Sequence, residues 1–253
     1  MAHVDRDGVK VYYEARGEGP PVLLSHGYSA TAEMWLGQVE ALASQYQVIA
    51  WDMRGHGQTD SPEDPTAYSE ESTVGDMAAI LEACRAERAV IGGLSLGGYM
   101  SLAFSLARPE RVAALMLFDT GPGFRKDDAR AGWNEMAERT AKGFDKRGLE
   151  ALGRGAEVRR STHRSAAGLA LAARGMLAQR DARVIDSLPG IGAPTLVLVG
   201  ENDHGYHAGS DYMAAKIPGA TKVVLAGAGH AANIDQPEQF NRAVLDFLGG
   251  LHW

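Results

Sequence analysis

An α/β protein with a mostly parallel sheet, helices on both faces and an all-helical insertion is the fold class this sequence predicts, on three observations. Short apolar runs alternate with segments of helical period, the pattern of consecutive βαβ units. Most of these runs are apolar throughout rather than at every second residue, as in strands covered on both faces. Between residues 121 and 190 the alternation stops, no strand-like run occurs, and Ala, Arg and Gly dominate. With 253 residues, 45% of them hydrophobic, the chain can bury a large core as one domain with an insertion. The expected division is a core of residues 1–120 and 191–253 and a helical insertion over 121–190.

The elements follow in order. VKVYYEA (9–15) and PVLLSHG (21–27) read as strands, and Trp35, Val39 and Leu42 then recur at helical spacing. YQVIAWDM (46–53) leads to a second stripe of Met77, Ile80, Leu81 and Cys84. Thr73 followed three residues later by Asp76 reads as the capping-box start of that helix. AVIGG (89–93), VAALMLFD (112–119), PTLVLVG (194–200) and TKVVLAG (221–227) supply further strands, and Phe240, Val244, Phe247 and Leu248 the last stripe. Cys84 lies on its stripe and reads as a core thiol rather than a nucleophile. Within the insertion, ARAGWNEMAERTAKG (129–143) and SAAGLALAARGMLAQ (165–179) are the clearest helices, and SLPG (187–190) is the exit.

Composition narrows the function. The net charge of −7 offers nucleic acid no overall attraction, and no basic patch sits on a recognisable binding motif. The single cysteine excludes an intrachain disulfide and fits a reducing compartment. MAHVDRDGVK has no apolar signal-peptide region, and stretches such as VAALMLF are too short to span a bilayer. A cytoplasmic protein without membrane or nucleic-acid partners is expected; a homo-oligomer stays open. Charge is unevenly divided: the insertion carries 14 Lys and Arg against 9 Asp and Glu, the rest 11 against 23. A basic insertion could attract anionic substrates, but such charges more often line the wet faces of helices.

The chemistry starts at GLSLG (93–97), at the end of a buried run. In an open parallel sheet, functional groups collect at the carboxyl ends of strands. G-x-S-x-G there fits a nucleophile elbow, a strained strand-to-helix turn whose small neighbours let Ser95 project its Oγ. A serine hydroxyl needs a histidine base, itself oriented by a carboxylate. His230, in AGAGHAANIDQ, follows the last predicted strand in a Gly-rich loop and could reach the same sheet edge. Asp203, three residues past the strand 194–200, gives the chain order serine, acid, histidine; Asp119, at the end of an earlier strand, is its rival. Asp203, His204 and His207 also form a weaker metal-like cluster, so no metal or other cofactor is expected. The backbone N–H groups of Leu96 and Tyr28 are the candidate oxyanion donors.

In chain order HGYS, DMRGHGQTDSP, GLSLGG, GEND and GAGH resemble the α/β-hydrolase superfamily, and the resemblance covers nearly all of the chain. It implies an α/β-hydrolase fold with an eight-stranded-type sheet and a helical cap inserted after the sixth strand. Arg54 and His56 then read as scaffold. The chain looks most like the small capped esterases and lactonases, such as 3-oxoadipate enol-lactonases. It departs from haloalkane dehalogenases and epoxide hydrolases, whose nucleophile is aspartate. The expected activity is hydrolysis of a small-molecule ester or lactone through an acyl-serine, with Phe124, Trp133 and Met176 as substrate-binding candidates from the cap. Perhydrolysis or carbon–carbon cleavage by the same triad, or a receptor of the same fold, are the alternatives.

Overall fold

A computed structural model describes residues 2–252. Its strands are β1 (Ala2–Arg6), β2 (Val9–Arg16), β3 (Pro21–Ser25), β4 (Gln47–Trp51), β5 (Ala89–Leu94), β6 (Val112–Phe118), β7 (Thr195–Gly200) and β8 (Thr221–Leu225). They form one sheet in the order β1-β2-β4-β3-β5-β6-β7-β8. Pairing is parallel from β4 to β8 and antiparallel where β2 meets β1 and β4.

Each of the seven apolar runs contains a strand, and β1 is an eighth that the runs did not include. Its residues alternate between half-buried and exposed, because it is a polar edge strand with one wet face. Asp7 and Gly8, both at positive φ, close the two-residue hairpin that pairs Arg6 with Val9.

The helices are α1 (Leu36–Leu42), α2 (Glu70–Ala83), α3 (Leu96–Ala107), α4 (Asp127–Arg147), α5 (Ala156–Arg159), α6 (Ala166–Ala172), α7 (Arg183–Ser187), α8 (His207–Lys216), α9 (Ala232–Asp235) and α10 (Pro237–Gly249). Strand alternation sorts the core into two layers. Val22, Leu24, Val48, Val90, Met116 and Leu198 face Trp35, Val39 and Leu42 near α1 and Phe240, Val244 and Leu248 on α10. Leu23, Ile49, Ile91, Leu115, Leu117 and Val197 face the opposite layer, with Met77, Ile80 and Leu81 of α2 and Met100 and Phe104 of α3. All three helical stripes therefore lie against the sheet. Cys84 caps α2 half-buried at the edge of the second layer, and burial pushes its thiol pKa up.

The start of α2 differs from the capping-box reading. Ser69, in extended conformation, accepts from the Ser72 N–H and is the cap, whereas Thr73 and Asp76 lie inside the helix. Asp76 is fully buried and takes a bidentate pair from the equally buried Arg54 at 2.7 and 2.8 Å, which accounts for both residues as scaffold.

Between β6 and β7 the chain forms α4, α5, α6 and α7 and contributes no strand. Phe144 of α4 packs on Leu169 and Ala170 of α6, with Tyr28 reaching in from the sheet edge. No helix among the described residues is long and apolar enough to cross a membrane.

Candidate active site

Register brings the strand ends together. Ser25 of β3 lies opposite Gly93 of β5, Leu94 opposite Phe118 of β6, and Phe118 opposite Leu198 of β7. Ser95 follows β5 at once, with φ 55° and ψ −115°. A non-glycine residue in that region is strained by about 1–3 kcal/mol, which surrounding structure must supply. It does so by holding both backbone groups: the Ser95 N–H donates to the Phe118 carbonyl at 2.9 Å, and the Thr120 hydroxyl donates to the Ser95 carbonyl at 2.6 Å. The flanking glycines are steric requirements. A Cβ on Gly97 would lie 2.2 Å from the Ser25 carbonyl oxygen, and one on Gly93 2.4 Å from Gly97 itself.

Two further strand ends carry the residues expected as acid and base. Asp203 lies in the turn after β7, and His230 in the loop after β8. His230 Nδ1–H donates to Asp203 Oδ2 at 2.7 Å, which leaves Nε2 as the free base position. Tyr206, three residues beyond Asp203, links this pair to the serine. Its ring stacks on His230 with centroids 4.9 Å apart, and its hydroxyl is 3.5 Å from Ser95 Oγ. Burial raises the Tyr206 pKa, so the phenol is protonated at neutral pH.

Asp119, the rival acid, has a different partner. Its Oδ1 accepts the Gly200 N–H at 2.7 Å at the end of β7. Burial first, and the neighbouring Asp203 carboxylate as well, push its pKa far above the carboxylate range. The metal-like cluster does not converge either: Asp203 is paired with His230, and His207 Nε2–H donates to the Glu201 carbonyl. Among the described residues no three His, Cys, Asp or Glu side chains gather as metal ligands.

At the expected oxyanion positions, Leu96 opens α3, so its N–H lies outside the helical ladder. Gly27 rests against the elbow, where a Cβ would lie 3.5 Å from that of Ser95, and Tyr28 follows it in the chain. Three buried histidines brace this loop. His56 accepts the Ser29 N–H, His163 from the segment between α5 and α6 donates to the Ser29 carbonyl, and His26 accepts the Met53 N–H. Tyr28 itself donates its hydroxyl to the Leu169 carbonyl of α6 at 2.7 Å.

Ser95 opens into a cavity of about 360 Å³ walled by Leu96, Tyr99, Phe124, Trp133, Leu177 and Tyr206. Phe124 and Trp133 thus line it, with ring centroids 5.7 Å apart. Met176 does not: it is buried in the core layer, and Leu177 takes the cavity wall. A π-helical turn spans Ala173–Leu177 and contains both residues. Tyr206 and Gln179 also line the cavity and were not singled out from sequence. Tyr206 shares a short turn with Asp203, a signal available in the sequence; Gln179 follows a helix and has none.

Residues 20–167 match the family model described as the alpha/beta hydrolase fold. The chain belongs to the α/β hydrolase family. A protein of Bacillus subtilis provisionally named 2-succinyl-6-hydroxy-2,4-cyclohexadiene-1-carboxylate synthase is 30% identical, over 96% of each chain. Among solved structures, a thermophilic esterase from Thermogutta terrifontis superimposes with a TM-score of 0.86 at 29% identity, covering 100% of this chain and 98% of that one. The enol-lactonase from Burkholderia xenovorans gives 0.78 at 27%, covering 98% and 99%. The eight-stranded, mostly parallel sheet and the likeness to esterases and enol-lactonases agree with the reading of the motifs.

Proposed function

We propose that this α/β hydrolase cleaves carboxylic esters or lactones through an acyl-serine intermediate, with Ser95, His230 and Asp203 as its triad and the inserted helices as a cap. The observation that carries the reading is the strained Ser95 elbow beside a His230–Asp203 hydrogen bond, with one tyrosine touching both serine and histidine.

In this mechanism His230 Nε2 takes the Ser95 proton as Oγ attacks the acyl carbon, and Asp203 stabilises the imidazolium through Nδ1–H. The oxyanion accepts from the Leu96 and Tyr28 N–H groups, each typically contributing ~3 kcal/mol. His230 then returns the proton to the departing alkoxide. Water, deprotonated by the same nitrogen, cleaves the acyl-serine to the acid. In a lactone the alkoxide stays tethered, and the product is a hydroxy acid.

The test is Ser95→Ala assayed against a panel of esters and lactones, with labelling by a serine-directed phosphonate. Turnover should fall by ~10⁴-fold or more with the fold intact, and the label should attach to Ser95 alone. Retained turnover in the verified variant would overturn the serine mechanism.

A further inference from the structure

Nearly every polar side chain lining the cavity already has a partner. Tyr99 donates its hydroxyl to Glu70, Trp133 donates Nε1–H to the Leu177 carbonyl, Thr120 donates to the Ser95 carbonyl, and Tyr206 faces Ser95 Oγ. Gln179 is the exception. It is only 8% exposed, and its Oε1 is buried without a hydrogen-bond partner. Its position is fixed from behind: the Asn134 side chain of α4 accepts the Gln179 N–H and donates to the Gln179 carbonyl, both at 2.8 Å. Gly123, at φ +89°, makes room, since a Cβ there would lie 2.9 Å from Oε1.

A buried carboxamide on a pinned backbone, its Oε1 lacking a partner in a wall whose other polar side chains are engaged, is arranged for a ligand group that hydrogen-bonds to it. No Lys, Arg, Asp or Glu lines the cavity, so a carboxylate or ammonium would lose its hydration there without a counter-ion. We infer that Gln179 is a specificity-determining residue, and that the substrate carries an uncharged hydroxyl or amide group on an apolar stem, remote from the scissile bond. This rests on the hydrolase reading above and adds the substrate class to it.

The test compares p-nitrophenyl esters of ω-hydroxyalkanoic acids with their ω-methyl isosteres over a series of chain lengths. At the length that reaches Gln179, the wild type should favour the hydroxylated ester in kcat/KM by roughly tenfold or more. Gln179→Met, which keeps the length of the side chain, should abolish that preference, with an unchanged circular-dichroism melt as the control for folding. Should that variant not fold, Gln179→Leu, which also removes the acceptor oxygen, takes its place and should likewise abolish the preference for the hydroxylated ester. A preference unchanged in the variants, or absent from the wild type at every length, would overturn the inference.

Failure of the hydrolase reading is distinguished by calorimetric binding of non-hydrolysable methyl ketone counterparts. Gln179-dependent selectivity for the hydroxylated ketone without turnover of any ester would overturn the ester chemistry and support the subsite. Equal binding of both ketones would overturn the subsite.

Discussion

Asp119 and Asp203 stand at the ends of neighbouring strands, yet their surroundings give them opposite character. Asp203 holds the His230 N–H, whereas Asp119 is fully buried, bonded to the Gly200 N–H and raised in pKa by burial and by Asp203 itself. A protonated Asp119 can only support Asp203; it cannot serve as a second anion for the histidine. Asp203→Asn should therefore lower kcat by ~10³ to 10⁴ through the wrong histidine tautomer. Asp119→Asn, which swaps one neutral hydrogen-bonding group for another, should cost less than about tenfold. Steady-state kinetics on one ester decide this, and reversed effects would move the acid to β6. Stability gives a second measure. Because the folded-state pKa of Asp119 lies above its unfolded value, its contribution is full below about pH 4 and is lost as pH rises. Asp119→Asn should accordingly lose less stability than the wild type between neutral and alkaline pH, as read by thermal melting. Ser95, His230 and Asp203 were legible because motif and strand end coincide. Gln179 was not, because its placement depends on tertiary packing around it, whereas Tyr206 carried a signal in the short turn it shares with Asp203.

At the level of elements, the loop after β3 and the segment before α6 are joined through imidazoles. His26, His56 and His163 each accept a backbone N–H at one ring nitrogen and donate to a carbonyl from the other. Such a ring must be neutral, and burial agrees: it pushes His26 down to about 3, His56 well below the ordinary value and His163 below it as well. The unfolded chain binds these protons below about pH 6.5 while the folded one does not. The stabilisation is thus present above pH 6.5 and lost as pH falls toward 3. Asp52, pushed up to about 6 by burial, works in the opposite direction because the folded state takes its proton first. Comparing His163→Gln with the wild type cancels that contribution. Urea-derived stability of the variant should fall less steeply with acid, by up to one proton, or about 1.4 kcal/mol per pH unit. Identical slopes would mean that His163 titrates normally. Sequence patterning located the buried strands and the three sheet-facing helical stripes, since their periodicity reflects burial. It passed over β1, whose Asp7-Gly8 turn was present but whose strand is polar. It also misplaced the α2 cap by four residues, because Asp76 is acidic for the sake of Arg54 rather than of the helix end.

For the whole molecule, the charge division seen in sequence carried two readings: a basic insertion that draws anions to the site and, favoured, side chains that line the wet faces of its helices. The structure pairs several of those cations with acidic neighbours: Arg174 to Glu138 and Asp145, Arg125 to Asp186, Arg180 to Glu71, Arg183 to Asp181 and Glu70, and Arg130 to Asp127. Arg164 is turned onto the carbonyls of Gly57 and Thr59. Many of these pairs are exposed and add little stability individually, and most of their acids lie in the insertion itself and are already counted in its balance of 14 to 9. What remains is a molecule of net charge −7, whose strand-bearing core carries 11 basic and 23 acidic residues. With a screening length of ~8 Å at physiological ionic strength, only an unpaired excess near the cavity mouth could steer a substrate. For an ester with a carboxylate remote from the scissile bond, kcat/KM should hold steady or rise as salt increases to about 0.5 M, because salt screens the net repulsion. A neutral ester of equal size should stay flat. A clear fall for the anionic ester alone would restore the insertion as an electrostatic funnel. Its arginines would then act on encounter, while the uncharged cavity wall would still set what is bound after it.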